Sequence, residues 1–142
     1  MYIVLEYMDG GSLQDVLLKA RKIPEPILAQ VTLSIARGLE YLKTIQMVHR
    51  DVKPSNVAID VTDEGYMKVT LLDFSSAWSA EAESAGLYGS AGPSRDEETV
   101  EYMPPERLLD DRTKTPSPYQ DAWAIGVVLL EVLLGTRQAF QV

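Results

Sequence analysis

The polar octapeptide His49–Asn56, HRDVKPSN, carries the residues best suited to chemistry. It places a carboxylate at Asp51, an amine at Lys53 and an amide at Asn56. Phosphoryl transfer needs this combination, because a carboxylate orients and deprotonates the acceptor hydroxyl while a cation neutralises developing charge. The Asn56 amide oxygen suits Mg²⁺, a hard cation that takes oxygen ligands. The competing interpretation is a polar loop that contains His-Arg-Asp by chance.

A second carboxylate, Asp73, ends an apolar stretch and is followed by Phe74 and Ser75. Asp73 can supply a carboxylate for Mg²⁺, and Phe74 can pack beneath it. Alone, this pair is equally typical of an ordinary strand end. Because it follows the octapeptide across one short predicted hairpin, the metal-binding interpretation is favoured.

Two further motifs lie farther along the chain. Tyr102–Glu106, YMPPE, closes a long polar segment, and Asp121–Gly126, DAWAIG, opens an apolar helix. Separately they would indicate a proline-rich turn and a plain core helix. The presence of all four motifs in this order along one chain argues that they are not separate coincidences.

The elements that must position these motifs follow from hydrophobic periodicity and capping residues. An apolar strand is predicted over Met1–Tyr7, and Ser12 is predicted to cap a short helix. The sequence further predicts a long amphipathic helix over Pro26–Lys43, strands over Val57–Asp60 and Met67–Leu72 around the turn Asp63–Gly65, and a buried helix over Asp121–Leu134 that ends at Gly135. The segment from Ser75 to Pro118 lacks periodicity and is predicted to be a long functional loop.

The composition narrows the function classes. The 142 residues include 13 Lys and Arg against 21 Asp and Glu, so the net charge is −8 and a nucleic-acid or anionic-membrane partner is disfavoured. There is no cysteine and one histidine, which excludes thiolate and multi-histidine metal sites. No basic leader and no apolar stretch long enough to span a bilayer are visible, so a cytoplasmic protein is predicted.

The four motifs together resemble the C-terminal lobe of a eukaryotic-type serine/threonine protein kinase catalytic domain. The resemblance implies an α+β fold that is mostly helical, with a small β hairpin at the cleft. It covers residues 1–142, from the interlobe hinge to the central buried helix. The family's N-terminal lobe, with its glycine-rich loop and strand lysine, is not found in these residues, so a partial kinase domain is expected.

The resemblance also implies roles for individual residues. Asp51 would be the catalytic base and Lys53 the γ-phosphate contact. The remaining implied roles are the metal ligands Asn56 and Asp73, the hinge residues Glu6 and Met8 at the adenine edge, the gatekeeper Leu5, and Ala58 in the adenine floor. The implied cofactors are ATP and Mg²⁺, and the implied partner is a protein substrate. At the positions of Lys53 and Thr99, the sequence resembles the serine/threonine branch of the family rather than the tyrosine branch.

Two subfamilies are similar to different parts of the chain. The resemblance to MAP kinase kinases lies in EYMDGGSLQDVL and HRDVKPSN. The resemblance to plant and algal kinase-like domains lies in LYGSAGPSRDEETVEYMPPE and the tail LLGTRQAFQV, and it receives more weight because it is longer. Some of those domains are fused to type 2C protein phosphatases and are regarded as inactive. A fused or partner phosphatase domain is therefore expected, and a pseudokinase or truncated fragment acting as a scaffold is the alternative function.

The segment after Asp73 departs from the family pattern and suggests regulation. Ser75 replaces the usual glycine, whose backbone angles serine would reach only at a cost. The candidate phosphorylation sites are Ser84, Ser90, Ser94 and Thr99, and a phosphate there could pair with Arg50. Alternatively, the run Asp96–Glu98 would offer Arg50 a permanent acidic partner, or it is simply a solvated charged face.

Overall fold

A computed structural model of the protein describes residues 2, 4–19, 23–89, 98–109 and 115–135. The elements in chain order are α1 (Leu13–Lys19), α2 (Glu25–Thr44), β1 (Met47–Val48), β2 (Val57–Val61), β3 (Met67–Leu71), β4 (Trp78–Ser79), α3 (Ala80–Ser84), α4 (Pro105–Leu109) and α5 (Pro118–Leu134). Short 3-10 helices occupy Pro54–Asn56 and Val100–Tyr102. The predicted α+β class, mostly helical with a small β region, is confirmed.

Helices α2 and α5 pack against each other and contribute most of the core. The buried face of α2 carries Leu28, Val31, Ile35 and Leu42, at the spacing of an amphipathic helix. Helix α5 begins at a capping box between Ser117 and Gln120 and ends at Gly135, whose φ is 63°. Both predicted helices are confirmed, with α5 beginning three residues earlier than expected.

The antiparallel hairpin of β2 and β3 packs on α2 and places the residues before and after it side by side. Its register pairs Val57 with Leu71 at the open end and Val61 with Met67 at the turn. Gly65 has a φ of 83°, which suits its place in the turn. The predicted hairpin is confirmed. Leu72 N also donates to the Asn56 carbonyl oxygen at 2.8 Å, so the chain entering β2 at Asn56 lies beside the chain leaving β3 just before Asp73.

The strand predicted over Met1–Tyr7 is not found in the residues of that run that the structure describes. Tyr2 and residues 4–8 are not in a strand, and Tyr2 and Val4 are almost fully exposed; Met1 and Ile3 lie outside the described residues. An apolar run forms a strand only where another strand supplies hydrogen bonds, and in the described part of the chain this run has no such partner.

The predicted long loop contains short elements that periodicity did not indicate. Strand β4 exists because Trp78 and Ser79 pair with β1, and the Ser79 hydroxyl then caps α3 by accepting from Ala82 N. Residues 90–97 of this segment lie outside the described residues. In the portions that the structure describes, no helix has the length and apolar character needed to cross a bilayer.

Candidate active site

The Asp51 carboxylate is the centre of a hydrogen-bonded cluster of side chains. Lys53 Nζ lies 2.7 Å from Asp51 Oδ2, and Asn56 Nδ2 donates to the same oxygen at 2.9 Å. The Thr99 hydroxyl donates to Asp51 Oδ1 at 2.6 Å and accepts from Lys53 Nζ at 2.8 Å. The Asp51 side chain is 7% exposed. Three of the residues predicted from the octapeptide therefore converge, and Thr99 joins them from another part of the chain.

The loop that presents Asp51 has an unusual backbone, which Asp121 stabilises. Arg50 has a φ of 72°, in the left-handed region that a non-glycine residue adopts only at a cost of about 1–3 kcal/mol. The main-chain N–H groups of His49 and Arg50 donate to the two Asp121 carboxylate oxygens at 2.8 and 2.9 Å. Burial raises the pKa of Asp121, while these hydrogen bonds act in the opposite direction.

His49 connects the Asp51 loop to the Asp73 segment. Its fully buried ring lies with Nε2 2.9 Å from the Leu72 carbonyl oxygen. The same ring packs edge-on against Phe74, with centroids 4.8 Å apart. Because Leu72 and Phe74 flank Asp73, the histidine holds this carboxylate at a defined position beside the Asp51 loop.

Asp73 has a φ of 58°, and its Oδ1 accepts from the Ser75 main-chain N–H at 3.1 Å. Hydrogen bonds from the Ser75 side chain and backbone hold the pKa of Asp73 below its ordinary value, and the charges of His49 and Lys53 act in the same direction. Ser75 is not among the described residues with a positive φ, so it carries no left-handed backbone strain in this conformation, and its expected effect on the loop's switching stays a prediction. Among the described non-glycine residues, positive φ angles occur at Gln46, Arg50 and Asp73.

The predicted nucleotide-facing residues lie in β2 or in the segment that precedes α1. Ala58 is buried and pairs with Ser12 in an isolated bridge, and Ile59 N donates to the Gly11 carbonyl oxygen at 2.9 Å. These contacts join the start of the chain to β2. The Glu6 carboxylate pairs with Lys68, Met8 is partly buried and Leu5 is exposed; that placement leaves their predicted roles untested.

Comparison with known proteins identifies the family of the chain that carries these residues. The chain matches the protein kinase domain family over residues 1–141. It belongs to that family. It is 39% identical over 130 residues to mitogen-activated protein kinase kinase 3 of Arabidopsis thaliana, covering 91% of this chain and 22% of the relative.

Two further relatives have similar names. The identity is 39% over 137 residues to mitogen-activated protein kinase kinase 1c of Physcomitrium patens, covering 94% of this chain and 35% of the relative. The identity is 36% over 134 residues to the dual specificity mitogen-activated protein kinase kinase dSOR1 of Drosophila melanogaster, covering 94% of this chain and 30% of the relative. The kinase domain chain thus spans about a fifth to a third of these relatives. They support the MAP kinase kinase resemblance, and the phosphatase association stays a prediction.

The side-chain oxygens of Asn56 and Asp73 fit the metal that this kinase family implies. Asn56 and Asp73 both offer side-chain oxygens, and the Asn56 amide nitrogen is already committed to Asp51, which leaves the oxygen as its acceptor. Within the described ranges no three His, Cys, Asp or Glu side chains cluster as a metal site. Mg²⁺ commonly uses one or two protein ligands together with substrate phosphates, so a sparse donor set is compatible with it.

Sequence reasoning missed two functions of acidic residues in α5 of the kinase domain. One is the Asp121 contact with the loop backbone. The other is Glu131, whose Oε2 accepts from the Tyr102 hydroxyl at 2.9 Å and ties the YMPPE motif to α5. The pKa of the Tyr102 hydroxyl is raised above its ordinary value, mainly by burial and next by its hydrogen bond to Glu131. Both acids were visible as lone charges in an apolar helix, and buried charges require partners.

Replacing Ser75 by alanine is expected to raise the pKa of Asp73 toward its ordinary value, because the largest stabilising hydrogen bond to the carboxylate is lost. Since the folded-state pKa of Asp73 lies below the unfolded one, its contribution to stability is present above the unfolded pKa and is lost as pH falls through the folded pKa. Carboxyl ¹³C NMR titration of wild type and Ser75→Ala measures the difference. Identical titration of Asp73 in the two proteins would contradict the assignment, and Ser84→Ala is the control.

Proposed function

We propose that this kinase domain transfers the γ-phosphate of ATP to serine and threonine hydroxyls of protein substrates, with Asp51 as the base. One observation carries the proposal: the Asp51 carboxylate is held by Lys53, Asn56 and Thr99 together while 7% of its side chain stays exposed. A carboxylate with this many partners has a defined direction, and it is still reachable by an acceptor hydroxyl.

The hydrogen bond from Thr99 illustrates the chemistry. An alcohol hydroxyl already donates to Asp51 Oδ1 at 2.6 Å, which is the interaction that a substrate serine or threonine would make. As the new bond forms between the substrate oxygen and the γ-phosphorus, the bond from that phosphorus to the ADP oxygen breaks. The substrate proton passes to Asp51, and the Lys53 ammonium neutralises charge on the transferred group.

The remaining roles extend the same proposal. Asn56 and Asp73 would hold Mg²⁺, which supplies charge neutralisation at the phosphates when bound. An aspartate is ionised at neutral pH, and the Ser75 hydrogen bonds that lower the pKa of Asp73 extend that ionised range to lower pH. Ala58 would form the adenine floor, and the main chain at Glu6 and Met8 would contact the adenine edge, because Gly11 and Ser12 fasten that segment to β2.

The names of the relatives suggest a substrate class. Proteins named mitogen-activated protein kinase kinases act on other protein kinases, so a protein kinase is the first substrate to try for this chain. One relative is described as dual specificity, so tyrosine belongs in the test. The scaffold alternative is not favoured, because Asp51, Lys53 and Asn56, which we propose as base, γ-phosphate contact and metal ligand, are in contact with one another. The domain limits of 1–142 and the cytoplasmic location stay predictions.

The test is phosphotransfer by the full-length protein that contains this chain. The protein is incubated with Mg²⁺ and ATP labelled at the γ-phosphate, with peptide pools that present serine, threonine or tyrosine as the acceptor. Label is expected on serine and threonine. Mg²⁺-ATP is also expected to raise the melting temperature of wild type more than that of Asp73→Asn, since ligand that binds only the folded state stabilises it.

Each part of the proposal has its own contrary result. Label found on tyrosine alone would contradict the serine/threonine assignment but leave the kinase activity standing. Equal Mg²⁺-ATP melting shifts for wild type and Asp73→Asn would remove Asp73 as a metal ligand. Asp60→Asn, on the neighbouring hairpin, is the matched control and is expected to behave as wild type.

A further inference from the structure

A buried acid, Glu98, lies between two arginines beside the active site. Its Oε1 accepts from Arg50 Nε at 2.8 Å, from Arg50 Nη2 at 2.5 Å and from Arg107 Nη2 at 3.0 Å. The Arg50 side chain is fully buried and the Glu98 side chain is 1% exposed. Charge-assisted hydrogen bonds of this kind are strong, and burial protects them from screening by salt.

This ion pair connects three segments that must be aligned for transfer. Arg50 directly precedes Asp51, and its Nη1 also donates to the Ser76 carbonyl oxygen at 2.9 Å, just beyond the Asp73 motif. Glu98 directly precedes Thr99, whose hydroxyl donates to Asp51. The contact between Arg50 and Glu98 therefore fixes the distance between the Asp51 loop and the segment that supplies Thr99.

We propose that Glu98 is a positioning residue that assembles the Asp51 site without phosphorylation of this segment. The inference rests on the proposed kinase activity. In such segments a phosphate can order the chain by pairing with arginine. Here a carboxylate of the chain itself occupies the arginine, so the ordering charge is permanent. Thr99, Lys53 and Asp51 are consequently in contact in the unmodified protein.

The other candidate regulators in the described residues do not reach Arg50 in this structure. The Ser84 hydroxyl donates to the Ala80 carbonyl oxygen within α3, and the Thr99 hydroxyl is engaged with Asp51 and Lys53. Ser90, Ser94, Asp96 and Glu97 lie outside the described residues. Of the predicted acidic run, Glu98 is the member whose contact with Arg50 the structure describes.

The decisive variant is Glu98→Gln in the full-length protein. Glutamine has the same shape, can still accept at Oε1, and puts its amide at the place of Oε2, which has no hydrogen-bond partner among the described residues. The substitution therefore removes the charge and little else. Glu98→Asp is the second variant: it keeps the charge but sets the carboxylate back by one methylene. Glu101→Gln, an exposed acid on the same segment, is the matched control.

All proteins are treated with a broad phosphatase, checked for complete dephosphorylation by intact mass, and assayed before and after the treatment. Wild type and Glu101→Gln are expected to keep their activity after treatment. Glu98→Gln is expected to lose about 100-fold in kcat with the KM for ATP unchanged, since a small misplacement of a reacting group has an effect of that size. The kcat of Glu98→Asp is expected to lie between those of wild type and Glu98→Gln. Melting curves establish that each variant is folded.

The outcomes separate the inference from the proposed function. A wild type that is active only before phosphatase treatment would overturn the inference and leave the kinase activity intact. A folded Glu98→Gln protein with wild-type kcat would do the same. If Glu98→Gln lowered kcat and raised the KM for ATP by similar factors, the substitution would have disturbed ATP binding as well as the position of Asp51. That result would also overturn the inference. A wild type inactive in both states would overturn the proposed function itself.

Discussion

Asp51→Asn in the full-length protein is expected to lower kcat for phosphotransfer by about 10²–10⁴-fold, the usual contribution of a positioned base. Asparagine has the shape of aspartate but cannot take up the substrate proton at neutral pH. The partners of the carboxylate remain in place, and Lys53 is partly exposed and can be solvated when its anion is removed. Folding stability is therefore expected to change little. Initial rates at saturating ATP, together with thermal melting, measure both effects.

The comparison for this variant is Asp63→Asn, an exposed aspartate in the hairpin turn that is expected to keep wild-type kcat. If Asp51→Asn retained wild-type kcat while melting normally, Asp51 would not be the base. The Thr99→Ala variant gives an independent check, since its hydroxyl holds Asp51 Oδ1. A smaller loss of kcat is expected there, because the carboxylate stays present but less well oriented.

Asp121→Ala is expected to destabilise the fold by about 2–6 kcal/mol, because it leaves two buried main-chain donors unpaired at about 1–3 kcal/mol each. The donors are the N–H groups of His49 and Arg50, and Arg50 also has the positive φ that this pairing maintains. We expect activity to fall with stability, since the Asp51 loop depends on the same contacts. Urea denaturation of the full-length protein, followed by a probe of this domain, measures the free energy of unfolding.

Asp121→Asn tests the same mechanism more gently. Asparagine keeps one oxygen for one main-chain N–H but opposes the other with its own NH₂ group, so a loss between those of wild type and alanine is expected. Asp63→Ala is the control on an exposed acid. Stability of Asp121→Ala equal to that of wild type would show that the two N–H groups find other acceptors, and the account of the loop would then be wrong.

Local patterns were sufficient for the regular elements. The spacing of Val31, Ile35 and Leu42 identified α2, the apolar character of α5 with Gly135 after it identified the second long helix, and the turn around Gly65 identified the hairpin. Each signal operates within a few residues, because helix faces and tight turns depend on neighbours in the chain. The same reasoning placed Asp51, Lys53 and Asn56 in one loop, since their proximity is a consequence of adjacency.

Contacts between distant segments could not be obtained in this way. The apolar run at residues 1–7 was expected to be a strand, but strand formation depends on a partner that the run does not contain. Strand β4 was missed because its partner β1 lies 30 residues earlier. The Asp121 contacts with His49 and Arg50 span 72 and 71 residues. The contact between Glu98 and Arg50 spans 48 residues, and the sequence offered it only as one of two interpretations of the run Asp96–Glu98.

The sequence by itself therefore determined the two long helices, the hairpin and the identity of the candidate transfer residues, because these depend on local periodicity and on motifs of adjacent residues. The tertiary structure alone decided that Thr99 orients Asp51 and that Asp121 supports the strained backbone at Arg50. It also decided between the two interpretations of the acidic run, because Glu98 is buried against Arg50. These contacts depend on how the helices and loops pack around a common core, and burial selects the partners because a buried charge or N–H group without one is costly.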